Sequence, residues 1–128
     1  MIDHLGISVK DHAGSRAFYL AALAPLGITV VMEVPRSESG AASDYTGLGS
    51  NGKPYFWIGE GRPGTGMHLA FVARTRMQVD AFHAAALKAG AKDNGPPGLR
   101  PHYHEHYYGA FVIDPNGVNL EAVCHEPA

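Results

Sequence analysis

The sequence has one cysteine, one tryptophan, no long apolar run and no surplus of either charge. Each shortage excludes something. A lone Cys124 cannot build an internal disulfide framework, and such usage is expected of a reducing cytoplasm. No apolar run approaches the roughly 18 residues needed to span a bilayer. The first residues, MIDHLGISVK, lack the basic start and apolar core of a secretory signal, so a cytoplasmic protein with no membrane partner is expected. Ten Lys and Arg against twelve Asp and Glu give a net charge of -2. That balance leaves no electrostatic footprint for nucleic acid. At 45% hydrophobic and 17% charged, the 128 residues suit one globular domain, or two small halves sharing a core. What the chain has in quantity is histidine, eight in all.

A repeat organises them. Sliding the chain by 64 positions sets HLGISVKDHAGSRAFYLAAL over HLAFVARTRMQVDAFHAAAL, residues 4–23 over 68–87. Seven of twenty positions are identical without a gap: His4/His68, Leu5/Leu69, Ala17/Ala81, Phe18/Phe82, Ala21/Ala85, Ala22/Ala86 and Leu23/Leu87. About one or two would coincide by chance, so the pattern reads as a tandem duplication of one module.

Each copy opens with a strand, residues 2–9 and 67–73. Alternation puts Leu5, Ile7 and Val9 on one face and His4, Gly6 and Ser8 on the other. Leu69, Phe71 and Ala73 likewise oppose His68, Ala70 and Val72. A helix follows in each copy, N-capped by Asp11 in the first and by Thr75 with Gln78 in the second. Gly27 and Gly90 are natural stops. Shorter strands are expected at ITVVMEV, around DYTGLG, at YFWIG, and at YGAFVID and VNLEAV on either side of a DPNG turn. DNGPPGLRPHYHEHYY, rich in Pro, Gly and His, reads as a long ordered loop. The expected architecture is α+β in one domain spanning 1–128, with modules of about 1–62 and about 66–126.

Two equivalent histidines on equivalent strand faces would converge if the halves pack about a pseudo-twofold axis. Imidazole is a common protein ligand for divalent metals. Glu121 is the candidate third ligand, because a carboxylate among apolar neighbours in VNLEAV is costly unless paired or bound. His4, His68 and Glu121 together would form a facial triad with open positions. In the HYHEHYY segment, His102, His104 and His106 alternate and could bind a metal themselves; as a loop over the site, His102 or His104 could move protons. Tyr107 or Tyr108 could donate to a developing oxyanion, and Arg100 could hold a carboxylate or phosphate.

The chain resembles the vicinal oxygen chelate superfamily of glyoxalase I, extradiol dioxygenases, fosfomycin-resistance enzymes and bleomycin-resistance proteins. The resemblance is carried by MIDHLGISVKDHAGSRAFYLAALAPLGI, MHLAFVARTRMQVDAFHAAAL and YYGAFVIDPNGVNLEAVCH. It implies paired βαβββ modules whose mixed sheet curls around a metal and substrate cup. It also implies ligands at His4, His68 and Glu121, the three chosen above from the residues.

One departure is visible. Glyoxalase-type members usually take a fourth ligand from the first module, and the repeat offset brings Trp57 to that place, with Phe56 and Ile58 beside it. Trp57 would supply a flat substrate wall instead. The resemblance therefore implies a small metal-dependent lyase, isomerase or dioxygenase, using Fe, Mn, Zn, Ni or Co to bind vicinal oxygens of a small-molecule substrate. Tyr108 and His104 are the expected catalytic residues, and Trp57, Arg100, His102 and Tyr107 the expected substrate contacts. A homodimer is implied, with modules that swap between subunits in some relatives. The rival is a metal-free protein that sequesters a small molecule.

Overall fold

A computed structural model describes residues 2–128. The order is β1 (Leu5–Val9), α1 (His12–Leu23), a 3-10 turn (Ala24–Leu26), β2 (Thr29–Val34) and a short α2 (Arg36–Ser39). Then come β3 (Tyr45–Ser50), β4 (Lys53–Glu60), β5 (His68–Val72), α3 (Arg76–Lys88), β6 (Lys92–Leu99), β7 (Tyr108–Ile113) and β8 (Asn119–Cys124). The strands form two four-stranded sheets, ordered β1-β4-β3-β2 and β5-β8-β7-β6. In each the opening strand pairs in parallel with the last strand of its module, and the other pairings are antiparallel. The duplication read from the sequence is thus a duplication of topology.

The α+β architecture of two paired modules is the one expected, each module contributing a four-stranded mixed sheet. One expectation needs correction: the presumed loop at 93–108 is a strand for its first half, where β6 pairs antiparallel with β7. Its prolines hid it. Pro96 and Pro97 have no N–H to give a ladder, but β6 is an edge strand, where proline is tolerated. The register shifts twice there, between Asp93 and Gly95 and between Gly95 and Gly98.

Local sequence explains the helix ends. Thr75 accepts from the Gln78 N–H at 3.1 Å, and the Gln78 side chain accepts from the Arg74 N–H at 2.7 Å. Asp11 stands at the N-cap of α1 without a side-chain capping bond. Gly27, at φ 78°, takes the left-handed conformation that ends the 3-10 turn.

The apolar faces of both sheets share one core with α1 and α3. An edge-to-face ladder of Phe18, Tyr19, Phe56 and Phe71 crosses it, with successive centroids 5.0, 5.0 and 5.4 Å apart. It passes from α1 through the first sheet into β5, so the modules are bonded through aromatic packing. A polar clamp reinforces them. The buried Asp114, in the β7–β8 turn, accepts from the N–H groups of Asn116 and Val118, and from the Tyr19 hydroxyl of the other module. Asn116 in turn donates to Ser15 and accepts from the Lys10 N–H. The DPNG motif is turn chemistry, as its residues imply, and also the inter-module joint. Among the described residues no helix is long and apolar enough to cross a membrane.

Candidate metal centre

The strand pleat sorts each module's side chains. In the second sheet, Leu69, Phe71, Ala110, Val112, Leu120, Ala122 and Cys124 face the helices and join the core. The opposite parity, His68, Glu121, Gly109 and Phe111, faces away. Glu121 is nevertheless only 2% exposed. A carboxylate so far out of water needs partners for both oxygens. Tyr107 donates its hydroxyl to Oε2. His68 Nε2 lies 3.1 Å from Oε1. A Cβ added to Gly109 would stand 3.2 Å from Oε2, so the glycine keeps that space open.

The other nitrogen of His68 decides what this contact can be. Nδ1 lies 3.0 Å from the Asn119 carbonyl oxygen, which can only accept. Nδ1 therefore carries the proton, and in a neutral ring Nε2 presents a lone pair. A lone pair and a carboxylate oxygen facing each other at 3.1 Å require a cation between or beside them, a proton or a metal ion. With metal–ligand bonds of about 2.1 Å, neighbouring ligand atoms stand about 3.0–3.4 Å apart, so the pair has a metal's bite. Phe111 stacks on the His68 ring at 6.3 Å and 20°.

His4 repeats the pattern in the first module. It immediately precedes β1, and its Nδ1 bonds Asp3 Oδ1 at 2.8 Å, which again leaves Nε2 for a ligand. Lys53 Nζ reaches the same oxygen at 2.7 Å. Lys53 first, and His4 second, hold the Asp3 carboxyl below its ordinary range. His4 is exposed and borders a concavity of about 620 Å³ on the first sheet with Asp3, Lys53, Tyr45 and Trp57.

Of the three expected ligands the structure brings His68 and Glu121 together and leaves His4 apart. Among the described residues, no three His, Cys, Asp or Glu side chains of one chain gather closely enough to hold a metal. His68 and Glu121 are donors of the type a divalent metal takes, and His4 is a third of the same type on the other module.

The remaining candidates separate by strand parity. Tyr108, expected to be catalytic, falls on the helix side of β7, where its hydroxyl donates to Asp80 at 2.7 Å and its ring lies under Arg76. Its hydroxyl is held above the ordinary range chiefly by that bond. The tyrosine that reaches Glu121 is Tyr107, whose hydroxyl is raised by desolvation and then by the Glu121 carboxylate. Arg100 spends two donors on the carbonyls of Pro96 and Gly98, each at 2.8 Å, and stacks over Phe111; it braces the irregular β6. His102 packs on Tyr103, and His104 meets His125 edge-on with centroids 5.8 Å apart. Both lie on the exposed turn between β6 and β7. Trp57 belongs to the outward face of the first sheet, beside Gly6 and Gly47. Sequence reasoning missed Asp3, Phe111 and the Asn119 carbonyl. An acid next to a histidine was a signal for the first; the other two depend on register.

Residues 1–122 match the model of the Glyoxalase/Bleomycin resistance protein/Dioxygenase superfamily. A glyoxalase/bleomycin resistance protein from Albidiferax ferrireducens T118 is 31% identical, with a TM-score of 0.77 and 99% of each chain covered. A glyoxalase/bleomycin resistance protein/dioxygenase family enzyme from Burkholderia phytofirmans PsJN is 21% identical, with a TM-score of 0.70, over 97% of this chain and 98% of that one. A mutant fosfomycin resistance protein from Listeria monocytogenes, complexed with Mn(II) and 1S,2S-dihydroxypropylphosphonic acid, shares the fold at 17% identity. Its TM-score is 0.66, over 96% of this chain and 88% of that one. No curated protein matches the chain.

Proposed function

Since the chain belongs to the Glyoxalase/Bleomycin resistance protein/Dioxygenase superfamily, we propose that it is a small metal-dependent enzyme that binds vicinal oxygens of a small substrate. The reading is carried by one observation: His68 Nε2 lies 3.1 Å from Glu121 Oε1 while its Nδ1 donates to a carbonyl. His68 and Glu121 would hold one side of the ion. His4, oriented by Asp3, would supply the third ligand from a second copy of the chain, which makes a homodimer part of the reading. The Listeria neighbour's Mn(II) supports a divalent metal of the Fe, Mn, Zn, Ni or Co class.

When bound, such a metal acts as a Lewis acid toward an enolate- or catecholate-like oxygen, and iron adds dioxygen chemistry. Tyr107 fixes the Glu121 carboxylate by engaging Oε2, which leaves Oε1 for the His68 side. Phe111 covers the His68 ring. His104 and His102, at the surface, would exchange protons with solvent. Tyr108 is committed to Asp80 and has no part in this reading. The lone cysteine, buried at Cys124, suits a cytoplasmic setting.

Sequestration without metal is the second reading, and the same contact supports it: 3.1 Å between His68 Nε2 and Glu121 Oε1 is also the length of a direct hydrogen-bonded pair, which needs no metal. Elemental analysis of untagged protein separates the two. About one metal per chain in the wild type, lost in His68→Ala with the circular dichroism spectrum unchanged, is expected. Metal content unaffected by that substitution would sink the enzyme reading. Mixing His4→Ala with Glu121→Ala protein should restore metal uptake in heterodimers only if ligands come from two chains.

A further inference from the structure

Two aromatic rings on the outward face of the first sheet lie directly on glycines. A Cβ built on Gly47 would stand 2.8, 2.9 and 2.9 Å from three atoms of the six-membered ring of Trp57. One built on Gly59 would stand 2.2 Å from Tyr45 Cε1. Trp57 is also paired with Gly6 on β1, where no side chain rises beside the indole. A glycine inside a strand weakens it, and it marks a place where something must approach the backbone closely.

Cross-strand cover of a glycine by an aromatic ring is a way to recover strand stability. It does not account for the concavity of about 620 Å³ that Trp57 lines together with Tyr45, Gly6 and Val34. That volume lies within the range of small-molecule sites, which combine an apolar floor with a few polar groups at one side. The polar groups here are Asp3, His4 and Lys53. Asp3 Oδ1 takes one Lys53 hydrogen and the His4 Nδ1, so Lys53 keeps two N–H donors.

We propose that this face is a stacking platform for a planar aromatic ring, laid on Trp57 with an edge oxygen turned to Lys53. The proposal rests on the reading above only in taking this face as the substrate side, and it names the class: phenols and aromatic carboxylates rather than aliphatic hydroxy acids. A flat ring meets a flat floor across its whole area. A puckered ring of the same size and charge meets it at a few atoms. Offset stacking adds about 0.5–1.5 kcal/mol beyond area burial, roughly a two- to thirteen-fold preference for the flat ring.

Trp57 is the only tryptophan, so its indole N–H gives a single cross-peak in a ¹⁵N-correlated spectrum. The probes are 3-hydroxybenzoate and 3-hydroxycyclohexanecarboxylate, alike in charge and hydroxyl and different in planarity. On wild-type protein the aromatic probe should bind several-fold tighter and shift the indole peak upfield. Gly47→Ala, which displaces the indole, should abolish the preference while the circular dichroism spectrum is kept. Equal affinity for the two probes overturns the platform, and so does an indole peak unmoved by millimolar aromatic probe. Metal content, measured on the same samples, reports separately. Stacking without metal keeps the platform and ends the metal reading, whereas metal without discrimination does the reverse.

Discussion

Tyr19 donates its hydroxyl to Asp114 across the module boundary, tying the first helix to the β7–β8 turn of the other repeat. Both groups are buried, and the second Asp114 oxygen is already taken by two backbone N–H groups. The tyrosine therefore does what water would do for a solvated carboxylate.

Tyr19→Phe removes that donor and leaves a buried charge short of a partner. Hydrogen bonds to charged groups contribute about 1.5–3 kcal/mol, and a loss in that range is expected. Urea unfolding checks it: the midpoint should fall with the slope unchanged. A midpoint equal to wild type would mean that the modules do not depend on the clamp.

Burial raises the Tyr19 hydroxyl far above the ordinary phenol range, with the Asp114 charge and bond as further causes. Tyr107 and Tyr108 are raised as well, by desolvation and Glu121 in one case and by the bond to Asp80 in the other. A folded-state value above the unfolded one means that the native protein holds its proton longer. The stability so gained is complete below pH 10 and is lost as pH rises through the folded values. Spectrophotometric titration of native protein should show fewer than six phenolates forming around pH 10. The rest should appear together with loss of the near-UV signal. All six titrating smoothly before unfolding would contradict the buried pairs.

How far the fold could be read beforehand follows from which physics sets each part. The 64-residue repeat and the strand parity are local periodicities, and they placed Leu69, Phe71 and Cys124 inward and Glu121 outward. Strand β6 was illegible because Pro96 and Pro97 argue against a ladder, and only an edge position with two register shifts accommodates them. Tyr107 and Tyr108 are adjacent, so assigning the one that meets Glu121 required the register of β7 on β8, which no local signal carries. The separation of His4 from His68 and Glu121 depends on how the sheets are set relative to each other, a tertiary fact.

The two long helices begin in different ways despite similar sequence signals. Thr75 makes its capping bond and Asp11 does not. Thr75→Ala should cost about 1 kcal/mol. Asp11→Ala removes only a charge near a helix N-terminus and should cost less, about 0.3–1 kcal/mol. Chemical denaturation of the two variants orders them, and an Asp11 loss larger than the Thr75 loss would reverse the assignment.

The Tyr107–Glu121 bond offers a way to separate structure from function at the site. Tyr107→Phe leaves Oε2 of a 2%-exposed carboxylate without its donor. Loss of a partner for a buried acceptor costs about 1–3 kcal/mol, so the variant should melt below wild type in metal-free buffer. A ligand that binds only the native state stabilises it by mass action, so saturating Mn(II) or Zn(II) should raise both melting temperatures. Groups that orient a metal ligand contribute about 10- to 100-fold to affinity. If Tyr107 positions Glu121 for a metal, the variant should therefore need about 10 to 100 times more metal for half of its own shift. Equal half-saturation in the two proteins would make Tyr107 a purely structural partner. No shift in either would remove the metal from the site and leave a protonated His68 as the cation that Glu121 faces.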